Sequence, residues 1–293
     1  MNPPRLIVEV RWGKLAGTKT ALASGDALTV GRTDLADLIV GHDSEMSGAH
    51  FELAWRDGVC SVRDLESISG TRLGGESVTE AEVPHGSWIQ AGATDFMVYV
   101  EGNSKPPRKV LSEQERAREE VRLDAAHRAL ATLRQKAAEA PLYAVVDGAR
   151  DTRILGILRE HVERLQSLYD GLKGEVMEEI APYLVGPMQP DSQLLDRLVL
   201  EGWGKRWGIW CTSDEPFVEV RRHWRRFLMV DLEESGERVY FRFYDPGVLR
   251  VFWGTCDQAQ LSSLSADLTA IFVEAKDHAF VSLPLVLAGR HDA

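Results

Sequence analysis

Short stretches of alternating apolar and polar residues, separated by tight turns, dominate the first hundred residues. The alternation has a period of two residues, which is typical of strands with one buried face. Four of these stretches predict short strands bounded by Gly, Asp or Ser: Leu28–Val30, Leu38–Val40, His50–Ala54 and Val59–Val62. Many short strands at this spacing predict an all-β sandwich at the N-terminus.

A different pattern begins after Pro106-Pro107. Ser112 and Glu115 form a capping-box signature, and Pro141 stops the helix that it opens near Ala140. The apolar positions of this helix form one narrow stripe: Leu123, Ala126, Leu130, Leu133 and Ala137. A rigid spacer, a packed connector and a short coiled coil all fit this stripe, and we favour a connector packed on the second domain.

Strands and helices alternate from Leu142 onward, which predicts an α/β or α+β domain. Leu228–Leu232 and Val239–Tyr244 predict a hairpin, and Asp245-Pro246 starts a further helix because Asp is a good N-cap and Pro suits the first turn. The chain is therefore expected to be multidomain, with an all-β sandwich at 1–102, a linker and connecting helix at 103–140, and an α/β domain at 141–293.

Four short motifs in the first region occur in a specific order and spacing: Gly31-Arg32, Ser47-Gly48-Ala49-His50, Asp64-Leu65 and Ser69-Gly70-Thr71. Together they resemble the forkhead-associated (FHA) domain, a binder of phosphothreonine peptides, over roughly Arg5–Glu101. The resemblance implies a phosphopeptide site at Arg32, Ser47, Gly48 and Ser69, in which Arg32 and Ser47 hold the phosphate. A guanidinium fork, a hydroxyl and backbone amides suit that ligand chemically.

Three positions depart from the FHA pattern. Ser69 replaces an Asn that grips the peptide backbone, Ile68 replaces a residue that is often Thr, and Glu45 stands where a basic side chain is common. A carboxylate repels phosphate, so these departures predict weak binding. The alternative is a docking module in which Arg32 pairs with a nearby acid, such as Asp34 or Asp43.

The second region resembles DUF4123, the adaptor chaperone of bacterial type VI secretion, over roughly Leu142–Ser265. The resemblance is carried by Tyr143–Ala149, Ala181–Val185, His223–Leu228 and, most specifically, Arg242-Phe243-Tyr244-Asp245-Pro246. It implies binding of an effector's N-terminal region and of a spike protein. Gly247 stands where the family usually has an arginine.

A chaperone groove needs apolar walls and anchoring charges. The candidate effector- or spike-binding residues are Arg221, Trp224, Arg225, Arg242 and Asp245. Core packing is the alternative for the tryptophans, and a solvated helix face is the alternative for the arginines. Asp245 can instead serve only as an N-cap, and Arg242 is close enough in sequence to pair with it.

The remaining features narrow the class of protein. A net charge of −11 argues against nucleic-acid binding. We find no catalytic motif, and we expect no enzyme activity, no cofactor and no metal site. Cys60, Cys211 and Cys256 are too scattered for a disulfide framework. With neither a signal peptide nor a membrane span expected, the cytoplasm is the predicted compartment.

A phosphothreonine-dependent signalling scaffold that regulates secretion-system assembly is the alternative function.

The linker composition leads to a first prediction. Residues 103–112 are polar and contain two prolines, so limited proteolysis should cut there and release an N-terminal fragment that stays folded. Mass spectrometry locates the cut, and circular dichroism and NMR of residues 1–102 report folding. An unfolded 1–102 fragment would place the boundary elsewhere.

Overall fold

The computed structural model describes residues 3–169, 175–231 and 236–286. The chain divides into two compact units. The first comprises residues 1–105 together with the short segment 159–164, and the second comprises residues 106–158 and 165–293. Within the first unit, the Lys19 ammonium donates to the His161 carbonyl at 2.6 Å, and the Ser104 amide donates to Glu160 at 2.8 Å.

The first unit is a β-sandwich, as the alternating pattern predicts. Its strands are β1 (Leu6–Val10), β2 (Lys19–Leu22), β3 (Ala27–Gly31), β4 (Leu38–Ile39), β5 (Phe51–Arg56), β6 (Val59–Asp64), β7 (Thr71–Leu73), β8 (Glu76–Val78), β9 (Glu80–Glu82), β10 (Ser87–Ala91) and β11 (Thr94–Val100). One sheet has the order β2-β1-β11-β10-β7-β8, and the other has the order β4-β3-β5-β6-β9. Only the β3–β4 pair is parallel within this described sandwich.

Side chains from both sheets form the sandwich core. Alternate residues of β5, Phe51, Leu53 and Trp55, are fully buried, and Phe96 of β11 packs edge-on against Phe51. Loop residues also contribute to this core, because Val40 and Met46, which lie between β4 and β5, are buried in it. The rigid sheets therefore hold the loops that carry the predicted phosphate ligands.

The second unit is an antiparallel sheet with helices on both faces. Its strands are β12 (Leu142–Asp147), β13 (Leu165–Ser167), β14 (Pro182–Met188), β15 (Gly208–Thr212), β16 (Met229–Asp231), β17 (Arg238–Tyr240), β18 (Ala270–Glu274) and β19 (Phe280–Leu283). Its helices are α1 (Glu113–Glu139), α2 (Ile154–Arg159), α3 (Glu175–Ile180), α4 (Gln193–Gly202), α5 (Phe217–Arg225), α6 (Pro246–Trp253) and α7 (Gln258–Ser265). The main sheet has the order β13-β14-β12-β15-β18-β19.

Strand β12 lies inside this sheet and is buried along its whole length. Leu142, Ala144 and Val146 face the core formed with α1, α2 and α4. Tyr143 and Val145 face a second core, formed with α5, α6 and α7. A strand that is covered on both faces needs apolar residues at successive positions, which explains the continuous apolar run of β12.

Helix α1 adopts the packed arrangement among the three that its stripe allows. Ser112 caps it in a reciprocal capping box with Glu115, as the sequence indicates. Ala126, Leu130 and Leu133 are buried in the core that α1 forms with α4 and β12, and the opposite side of the helix carries charges. No helix in the described part of the chain has the length and apolar character that a membrane crossing requires.

The hairpin before α6 is shorter than its sequence predicts. Its strands end at Asp231 and Tyr240, and the predicted turn residues Glu234-Ser235 lie outside the described residues. The chain leaves the strand after Tyr240 because Phe243 and Tyr244 turn inward and become buried. The predicted strand to Tyr244 is therefore wrong over its last four residues.

Candidate functional site

Three loops meet at one end of the sandwich and bring the predicted phosphate ligands together. Arg32 follows β3, and its backbone amide donates to the Ser47 carbonyl at 2.9 Å. The next amide, of Thr33, donates to the Gly48 carbonyl at 3.2 Å. Gly31 makes this approach possible, because a Cβ at that position would collide with the Gly48 carbonyl.

His50 fixes the loops behind this surface. Its Nδ1 accepts a hydrogen bond from the Ser47 amide at 3.0 Å, so its Nε2–H faces the Gly70 carbonyl at 3.1 Å. The ring is fully buried, and it connects the second loop to the third. His50 therefore acts as a scaffold residue that ties these loops together.

Asp64 organises the third loop in a similar way. It accepts hydrogen bonds from the Thr71 hydroxyl at 2.6 Å and from the Ser67 hydroxyl at 2.6 Å. Burial opposes its ionisation, but the bonds from Ser67 and Thr71 hold its pKa below the ordinary value. A charged Asp64 therefore anchors the turn that presents Ile68 and Ser69.

The arginine of this surface is available to a ligand. Arg32 is exposed, and among the described residues its guanidinium forms no ion pair. Asp43 is buried, and its carboxylate accepts hydrogen bonds from Thr94 and from two backbone amides, so it is not available to Arg32. The expected alternative pairing of Arg32 with Asp34 or Asp43 does not occur in this structure.

The two serines differ in what they offer to a ligand. The Ser47 hydroxyl accepts from the Ile68 amide at 2.9 Å and keeps its own hydrogen for another acceptor. The Ser69 hydroxyl donates to the Glu45 carbonyl at 3.0 Å, so it closes the loop rather than facing outward. Ile68 between them is 95% exposed. The surface thus combines one free cation, one hydroxyl and an exposed apolar side chain.

Of the candidate residues on α5, Trp224 is buried and Arg221 and Arg225 are half-buried. Trp224 is fully buried and stacks on Phe243, with ring centroids 4.9 Å apart. Arg221 donates to the Ser167 carbonyl at 2.8 Å, and Arg225 donates to the Leu168 carbonyl at 3.0 Å. These arginines hold the segment that includes β13, and Trp224 belongs to the core.

Arg242 and Asp245 belong to a cluster of ion pairs at one end of β12. Asp245 caps α6, accepting from the Gly247 amide at 2.8 Å, and it pairs with Arg150 and with Arg206 at 2.5 Å. Arg242 bonds instead to the fully buried Asp147. The sequence-based pairing of Arg242 with Asp245 is replaced by two separate pairs, which Arg150 links by contacting both carboxylates.

Arg206 and Glu274 also belong to this region, and sequence reasoning missed both. Glu274 accepts hydrogen bonds from the amides of Gly204 and Arg206, and burial raises its pKa. The Arg206 guanidinium lies over Gly247, where a Cβ would be 2.6 Å from its Nη2. The only local signal for this arrangement was the glycine at position 247.

Comparison with known proteins agrees with both resemblances. Residues 28–92 match the family model described as FHA domain, and residues 142–263 match the one described as a domain of unknown function, DUF4123. The chain contains an FHA domain followed by a DUF4123 domain. Both are interaction modules rather than enzyme families, which fits a role in protein–protein interaction. No curated protein matches the chain significantly.

Solved FHA domains are among the structures similar to this chain. One, from a study of phosphothreonine-dependent FHA domain interactions, is 23% identical, with 36% of this chain and 99% of that chain covered and a TM-score of 0.30. The CT664 FHA domain from Chlamydia trachomatis is 23% identical, with coverages of 32% and 96% and a TM-score of 0.31. The Rv1747 FHA-1 domain from Mycobacterium tuberculosis is 28% identical, with coverages of 33% and 98% and a TM-score of 0.28.

The ion-pair cluster leads to a stability prediction. Asp245→Ala removes an N-cap and two charge-assisted pairs, so the free energy of unfolding of the DUF4123 domain should fall by roughly 2–4 kcal/mol. Asp245→Asn keeps a capping oxygen and should cost about 1–2 kcal/mol. Urea denaturation followed by tryptophan fluorescence measures both changes.

Asp196→Ala is the matched control, because it breaks the half-exposed pair with Arg134 and should cost less than about 1 kcal/mol. Equal losses for Asp245→Ala and Asp196→Ala would show that the cluster is only a surface network.

Proposed function

We propose that this protein is an adaptor of a bacterial type VI secretion system that binds a toxic effector and helps load it onto the spike. The DUF4123 match over 142–263 carries this proposal, together with the resemblance that connects this family to effector loading. The adaptor would act in the cytoplasm, where an effector is collected before export. Its proposed divisions are the FHA sandwich at 1–102, the linker and connecting helix at 103–140, and the adaptor domain at 141–293.

The FHA domain adds a second docking surface. Its exposed Arg32 and the Ser47 hydroxyl are suited to a phosphate group, and Gly48 keeps the loop close to Arg32. Ser69 is occupied by the Glu45 carbonyl, and the exposed Glu45 carboxylate is on the same loop as Ser47. This combination supports weak phosphothreonine binding, because a carboxylate near the ligand opposes its charge.

A peptide titration tests this assignment. A phosphothreonine peptide should bind with a Kd weaker than about 1 μM, and Arg32→Ala should weaken it by roughly tenfold or more because a charge-assisted bond is lost. Arg56→Ala removes another exposed arginine and should change little. Glu45→Arg combined with Ser69→Asn should tighten binding. Submicromolar affinity that survives Arg32→Ala would contradict the assigned site.

The unpaired Arg32 also favours the alternative function, a phosphothreonine-dependent signalling scaffold that regulates assembly of the secretion system. The two functions differ in their expected gene neighbours. An effector or spike gene beside this one supports the adaptor, and a Ser/Thr kinase with a phosphatase supports the scaffold.

Co-purification separates the two functions directly. The full chain should capture the effector encoded beside its gene, and Arg32→Ala should capture the same amount, because cargo binding is assigned to the adaptor domain. Capture is measured by affinity pull-down, with the thermal melting point of each variant as the folding control. Effector capture that disappears in Arg32→Ala, with the melting point retained, would favour the scaffold.

A further inference from the structure

Two neighbouring cavities follow the exposed side of α6. One has a volume of about 390 Å³ and the other a volume of about 420 Å³. Arg206, Gly247 and Val251 line both, so the cavities lie side by side along the helix. We call this feature the α6 groove, and it is an open depression of the surface rather than an enclosed pocket.

The two halves of the α6 groove differ in chemistry. The half beside Phe241 is walled mainly by apolar side chains, which are those of Phe241, Val248, Val251 and Phe252. Val251 is 69% exposed, although it stands in the middle of the groove. When a partner covers an apolar side chain in this position, the burial of its surface stabilises the complex.

The other half is basic. Arg206, Arg250 and Lys276 line it, with His278 beside them. Its one acidic lining residue, Glu274, directs its carboxylate to the amides of Gly204 and Arg206. Lys276 is exposed and has no ion-pair partner within the described residues. Arg206 is already paired with Asp245, and Arg250 donates to the Glu274 carbonyl, so among the described lining residues Lys276 is the cation that remains available to a partner.

Gly247 keeps the two halves connected. It lies at the start of α6, in the wall of both cavities, and the Arg206 guanidinium lies over it. Asp245 holds Arg206 in that position through bonds to its Nε at 2.9 Å and its Nη2 at 2.5 Å. A larger residue at 247 would displace Arg206 and change the groove where its apolar and basic halves meet.

We propose that the α6 groove binds an extended segment of the effector in which an acidic residue stands beside apolar ones. The apolar half receives the hydrophobic side chains, and the Lys276 end receives the carboxylate, so the segment binds in one direction. This assignment rests on the proposed function for the identity of the partner. It moves the cargo site from α5, where Trp224 is buried and Arg221 and Arg225 bind backbone carbonyls, to α6.

The test uses short random peptides displayed on phage, selected on the immobilised full chain. The enriched peptides are synthesised and titrated against the wild type, Lys276→Glu and Val251→Glu by fluorescence polarisation. Arg128→Glu and Val218→Glu are matched controls, because both residues are exposed and neither lines the groove. Melting points confirm that each variant is folded.

We expect enriched peptides that combine acidic and apolar residues and that bind either groove variant about tenfold more weakly, with both controls near the wild type. Failure to enrich such peptides, or equal affinity for wild type and groove variants, would overturn the proposal.

A competition experiment separates this proposal from the proposed function. Effector capture that is not displaced by the selected peptides would leave the adaptor function standing and overturn the groove assignment. Groove-dependent peptide binding without effector capture would overturn the adaptor function and leave the groove as a binding site for acidic and apolar peptides.

Discussion

The buried carboxylates of Asp147 and Asp245 determine how the DUF4123 domain is held together around its cluster of ion pairs. Neither could remain buried and charged without a cationic partner, and Arg150, Arg206 and Arg242 supply the partners from separate parts of the chain. Because Asp245 is also the N-cap of α6, the same pairs fix where that helix begins. The position of Arg206, and with it the meeting point of the two halves of the α6 groove, follows from this arrangement.

The FHA domain depends on a different constraint, the close approach of two loops. Gly31 permits the contact with Gly48, and His50 then connects the Ser47 loop to the next one. These contacts hold the loops of the proposed phosphate site in place, although Glu45 and Ser69 depart from the residues usual in FHA domains. The scaffold and the ligand chemistry are thus separable, because a domain can keep the loop contacts while its affinity for phosphate falls.

Local signals explain what the sequence could predict. The capping box at Ser112, the N-cap at Asp245 and the position of Arg32 at a strand end each depend on neighbours within a few residues. The partners of Asp245 could not be found this way, because Arg150 is 95 residues away in sequence. The depth of Trp224 was equally hidden, since helical spacing predicts a buried stripe but not whether a partner or the core covers it.

Hydrogen–deuterium exchange of the full chain, with and without the proposed effector, tests most directly the proposal that the DUF4123 domain binds cargo and the FHA domain does not. Bound effector should slow exchange in α6 and in the segment around Arg206, because the α6 groove is covered, and should leave the loops at 31–33 and 45–50 unchanged. Slowed exchange confined to those FHA loops, with α6 unaffected, would contradict the account.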